Sequence, residues 1–172
     1  MLAGAMLLGT GAASAQEVAP DNGNELATQG RPHCFRADLT TMTCLGIGHY
    51  RRVSGDTFDA ISEMAIGPNV TIETHTRVVL KDGAFCGPIK RQDLIAGRVR
   101  VLGQVISAAD ARPVMKQLLE MYAPVLNQEI CTRLEPFESS YIMRGMIDGE
   151  PRPDTDMTVV FIEPGDDFAI VF

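Results

Sequence analysis

The chain lacks a long hydrophobic run, an excess of positive charge, and the short motifs that mark common catalytic centres. Each absence removes a class of function. The first fifteen residues, MLAGAMLLGTGAASA, carry no charge, yet they fall short of the about 18 apolar residues that cross a bilayer. Their Ala, Leu and Gly content and their Ala-Ser-Ala end, followed by Gln16 and Glu17, read as a secretory signal peptide cut after residue 15. No Lys or Arg precedes the run, which departs from the usual pattern. No cysteine stands at the cut, so a lipoprotein anchor is not expected. The expectation is an exported chain, periplasmic or extracellular, with no membrane span after cleavage.

Positive charge is outnumbered, with 15 Lys and Arg against 22 Asp and Glu, a formal net charge of −7. Such a chain is repelled by nucleic acid and by anionic membrane surfaces. The pairs Arg51-Arg52 and Lys90-Arg91 are isolated and make no basic groove, so nucleic acid is not an expected partner.

There is no G-x-S-x-G elbow, no H-E-x-x-H, no S-x-x-K and no Cys-x-x-Cys. Gly46-Ile47-Gly48 begins like a dinucleotide loop, but Arg51 stands at the third glycine position and no helix follows. The spacing from Cys34 to Cys44 to His49 lacks the tight Cys-x2–4-Cys pitch of structural zinc sites. The acidic loop holding Asp148, Glu150, Asp154 and Asp156 does not match a calcium-binding EF-hand. No catalytic residue, metal or cofactor is therefore expected.

Four cysteines are present, at positions 34, 44, 86 and 131. An even number in an exported chain favours disulfides. The expected pairs are Cys34–Cys44, closing a short loop, and Cys86–Cys131, tying a turn after a strand to the far end of a helix. Residues 16–32 are polar, with Pro and Gly, and read as a flexible leader to one domain over 33–172.

Period-two alternation predicts strands over 44–53, 57–66, 70–81, 98–106, 130–134, 140–148, 157–163 and 168–172. One helix is expected over 110–126, with the stripe Val114, Leu118, Met121 and Val125 facing inward. Pro113 belongs near its start and Pro124 near its end. The fold class that follows is α+β, two antiparallel β-meanders with the helix packed on the sheet. The register is also legible. Placing Met64 opposite Ile72, Ser62 opposite Thr74 and Phe58 opposite Val78 puts the apolar faces together. The other face then carries a rung Arg51–Asp59–Arg77, with His49, Ile61 and His75 on one row and Glu63 opposite Glu73. His49 and His75 stand roughly 9–10 Å apart at the backbone, too far for one zinc without leaning across Ile61. The methionines read as core filling rather than as copper ligands.

What remains is a non-enzymatic binding or interaction domain for an unknown small molecule or protein. Its default site is a groove between helix and sheet, with Gly46, Gly48, Tyr50 and Tyr122 as candidate ligand contacts. Two alternatives are a small exported hydrolase or metal-dependent enzyme using His49, His75, Glu63 and Glu73, and an envelope accessory protein acting through the terminal strand 168–172.

Overall fold

The period-two segments do form strands, but the strands close on themselves. The computed structural model describes residues 22–172, so the expected signal peptide over 1–15 lies outside the described residues. In chain order the wall is built from β1 (His33–Phe35), β2 (Gly46–Ser54), β3 (Thr57–Gly67), β4 (Val70–Lys81), β5 (Ala84–Pro88), β6 (Glu129–Phe137), β7 (Ser140–Ile147) and β8 (Met157–Phe161). Each strand pairs antiparallel with the next, and β8 returns to β1, where His33 faces Phe161 and Phe35 faces Val159. The result is a closed antiparallel barrel of eight strands. The expected α+β meander sheet with a helix on its face is therefore incorrect. Closure needed two strands that carry no readable alternation: the three residues of β1, and β5, whose Ala84-Phe85-Cys86-Gly87-Pro88 reads as a turn.

Where the alternation is clean, the register follows it. Met64 faces Ile72, Ser62 faces Thr74, Phe58 faces Val78 and Asp59 faces Arg77, while Arg51 faces Asp59 and His49 faces Ile61. Two irregularities, between Arg52 and Ser54 and between Ala65 and Gly67, sit at strand ends. Extra residues of this kind add the bend and twist that a wall needs to close. The turn Asp82-Gly83 has positive φ at both residues, the two-residue hairpin geometry that such a pair favours.

The two ends of the barrel are covered differently. At one end lies α1 (Gly23–Thr28), within the stretch expected as a leader. The Asn24 side chain donates to the Gly83 carbonyl (2.9 Å) and accepts from the Leu134 amide (3.2 Å), bridging the β4–β5 turn and strand β6. Gly23 packs directly on the Tyr141 ring, where a Cβ would lie 2.6 Å from a ring carbon.

At the other end the chain between β5 and β6 makes a cap. It contains α2 (Arg91–Ile95), a small hairpin of Arg98–Val101 and Gln104–Val105, and α3 (Ala108–Tyr122). The expected single strand over 98–106 is this hairpin, turned by Leu102 and Gly103 at positive φ. Ser107 caps α3 by accepting from the Asp110 amide at 3.2 Å. Pro113 sits inside the helix and has no N–H to give to the Ala109 carbonyl; the Arg112 side chain donates to that carbonyl at 3.2 Å instead. The helix ends at Tyr122, and Pro124 falls in a 3-10 turn over Ala123–Val125.

The inward face of α3 is Ala111 and Leu118, joined by Val114, Met115 and Tyr122, and it packs with Leu94, Val99 and Ile72. Met121, expected inside, is 71% exposed. The stripe is rotated because the helix meets a barrel rim and the 98–105 hairpin, rather than a flat sheet. At the C-terminus only Ala169–Ile170 is strand, parallel to Thr43–Cys44 outside the barrel; the longer strand expected over 168–172 does not form.

Both disulfides join the expected partners, Cys34 with Cys44 and Cys86 with Cys131. The placement of the second differs from expectation: Cys86 and Cys131 face each other in register on neighbouring strands β5 and β6. Two disulfides are compatible with an exported protein. Among the described residues, no helix is long and apolar enough to cross a membrane.

Candidate functional site: the barrel lumen

Alternation makes every second residue of a closed wall point inward, and eight strands enclose a space that is either filled by side chains or holds one small ligand. Here it is filled at one end only. Phe58, Val78, Phe85, Leu134, Tyr141, Val159 and Phe161 are buried together beneath Ala27 of α1. Further along the same inward rows stand Ala60, Ser62, Met64, Thr76, Thr132 and Met157, all only half-buried. Half-buried residues that face inward in register border a space. That space is a cavity of about 270 Å³, reached by residues from all eight strands, with Ile89 and Tyr122 of the cap at its border.

The small residues on these rows make the room. Gly48 is the sharpest case: a Cβ there would lie 2.9 Å from the Phe35 ring and 3.1 Å from Nε2 of His33. Glycine lets β2 approach those two rings closely, and it leaves the wall without a side chain at that rung.

The polar groups in the lumen are few and uncharged. Tyr50 stacks on Phe85 with centroids 3.7 Å apart, and its hydroxyl is 3.4 Å from Oγ1 of Thr132. Burial raises the Tyr50 pKa and keeps the phenol protonated. His33 is 1% exposed, stacked at 5.7 Å from Tyr50 and edge-on to Phe35 at 5.0 Å. Burial lowers its pKa to about 4, against a backbone hydrogen bond with Arg31 that raises it. At neutral pH it is a neutral imidazole. Its Nδ1 is fully buried, and its Nε2 lies on the side of Gly48.

Of the residues expected from sequence as ligand contacts, Gly48, Tyr50 and Tyr122 border the lumen. Gly46 does not; Met64 and the β3 backbone lie over it. The expected groove between helix and sheet is replaced by the space inside the barrel. Sequence reasoning passed over His33 because it adjoins a cysteine at the edge of the leader. The signal was the pair His33 and Phe35, two apart on either side of a buried cysteine.

Of the residues of the alternative enzyme reading, His75, Glu63 and Glu73 lie on the outer face, while His49 also borders the cavity. Nε2 of His75 is 3.0 Å from Oε1 of Glu73, but Arg98 and Arg100 also engage that carboxylate. Arg100 bridges the opposed acids, 3.1 Å from Glu63 and 3.0 Å from Glu73. The Arg98 side chain, then His75 and Arg100, lower the Glu73 pKa to about 2, so it is no proton acceptor at neutral pH. Arg98 and Arg100 come from the cap hairpin that pairs with β4, an adjacency the sequence does not display. Nearby, Arg51 and Arg77 both hold Asp59 at 2.8 Å, the expected charge rung. In the acidic loop, Asp156 is taken by Arg144 (2.6 Å) and Asp154 by Arg152 (2.8 Å). Among the described residues, no group of three or more His, Cys, Asp and Glu is placed to hold a metal.

A larger hollow, about 590 Å³, lies outside the barrel between α2 and α3, bordered by Ile95, Met115, Leu119, Arg91 and Arg112. The lumen is taken as the candidate site instead, because residues of all eight strands border it and the buried His33 and Tyr50 stand among them. Comparison with protein-family models, with curated proteins and with solved structures returned no match for this chain. Fold and cavity alone define its class: an eight-strand up-and-down barrel, hollow at one end.

Proposed function

We propose that this exported domain binds a small molecule inside its barrel and is not an enzyme. The observation that supports this reading is the contrast within one set of inward rows, buried under α1 and half-buried beside the 270 Å³ cavity. A wall whose only task was stability would be filled along its length, because unfilled volume in a core is destabilising. The cavity lies just under the usual 300–1,000 Å³ range of ligand sites, which matches a small occupant. The test is calorimetric titration of the mature protein with a neutral two-ring probe, 2-naphthol. Saturable one-site binding is expected, and Ala60→Leu, which pushes a side chain into the cavity, should abolish it while the circular dichroism spectrum is kept. Absence of saturable binding, or full binding in the folded Ala60→Leu variant, would overturn the proposal.

A further inference from the structure

We infer that the lumen selects an uncharged ligand with an apolar body and a hydroxyl-type group that His33 receives. This rests on the lumen being a binding site and adds the chemistry of what enters it.

The first argument is charge. Among the described residues, no Asp, Glu, Lys or Arg borders the cavity, and the titratable side chains there besides the tyrosines are His33 and His49. A carboxylate, phosphate or ammonium taken inside would leave water without meeting a partner charge, and burial of an unpaired ion is strongly disfavoured. The −7 chain keeps its charges on the outside, in rungs such as Arg51–Asp59–Arg77. The ligand is therefore neutral.

The second argument is the buried imidazole at the cavity border. His33 turns Nε2 to the side of Gly48, the rung without a side chain at the cavity border. A neutral imidazole offers one donor and one acceptor. A hydroxyl can donate and accept, so it satisfies either tautomer. The hydroxyls of Ser62 and Thr76 stand on the same inward rows and give the ligand further polar contacts without adding charge.

The third argument is shape. Phe35, Tyr50 and Phe85 line the cavity with ring faces and edges, and Met64, Met143 and Met157 add pliable thioethers. An apolar cavity of about 150 Å³ takes up benzene, so the larger volume here suits a body of about two rings.

The experiment compares three probes of one shape with the mature protein at pH 7: 2-naphthol, 2-methylnaphthalene and 2-naphthoate. 2-Naphthol should bind about tenfold more tightly than 2-methylnaphthalene, the worth of one hydrogen bond, and 2-naphthoate should not bind. In His33→Phe the two neutral probes should bind within about twofold of each other, as expected when that bond is gone. Equal binding of the neutral probes to the natural protein, or binding of 2-naphthoate, would overturn the inference and leave the lumen site standing. If none of the three binds, the lumen site itself fails. If His33→Phe folds and keeps the full preference, the role given to His33 is wrong; if it does not fold, the three-probe comparison on the natural protein decides.

Discussion

The Tyr50 ring lies nearly parallel to that of Phe85, 9° between planes and 3.7 Å between centroids, at the border between the filled and hollow parts of the barrel. The ring and the hydroxyl of Tyr50 have separable roles. Tyr50→Phe loses only the contact to Thr132 and should cost about 1 kcal/mol. Tyr50→Ala removes the stacked ring and should cost about 4 kcal/mol. Urea unfolding of the two variants checks this; equal losses would mean that the stack contributes little.

His33 should make the protein acid-sensitive. Its folded pKa is about 4 against 6.5 for an unperturbed histidine. Above 6.5 both folded and unfolded states hold the neutral ring and nothing is lost. As pH falls from 6.5 to 4 the unfolded chain takes a proton that the folded state refuses, so stability drops, by about 3 kcal/mol in total. The measurement is the midpoint of chemical unfolding between pH 7 and 4. The slope should be shallower in His33→Phe; identical slopes would show that the ring titrates normally.

Arg100 separates two carboxylates that would otherwise face each other. In Arg100→Met, Glu63 and Glu73 remain opposed across β3 and β4 without their bridge. Stability at pH 7 should fall by about 2 kcal/mol, read by urea unfolding. No loss would show that the bridge contributes nothing.

The two disulfides should differ in worth. Cys86–Cys131 closes a separation of 45 residues and Cys34–Cys44 one of 10. Loop-closure entropy gives about 4 kcal/mol for the first and about 3 kcal/mol for the second. Pairwise replacement by alanine, followed by thermal unfolding, should rank them in that order.

The legible part of the fold was the part where one face is wet and the other is not. Away from the two irregular strand ends, the rungs that join Gly46–Arg52, Phe58–Met64 and Ile72–Val78 could be written down, because a slip of one residue would turn Phe58 and Val78 outward. The barrel itself was not legible. His33-Cys34-Phe35 is buried on both faces and so shows no alternation, and β5 is five residues crossed by Gly and Pro. The pairing of β1 with β8 joins segments more than 120 residues apart, which no local pattern encodes. The lining of the lumen was partly visible for the same reason: Gly48 and Tyr50 share an inward row of a readable strand, whereas His33 lies on the unreadable one.

That shortest strand has a consequence for behaviour in concentrated solution. β1 meets each neighbour through only three residue pairs, and Cys34, at its centre, is tied from behind to Cys44. Losing this stave would uncover the long edge of β2 and the edge of β8, and uncovered edges template pairing between molecules. The small disulfide thus keeps copies of the protein apart as well as keeping one copy folded. Light scattering should rise in reductant and in the Cys34→Ala, Cys44→Ala double variant well below the temperature at which the protein melts.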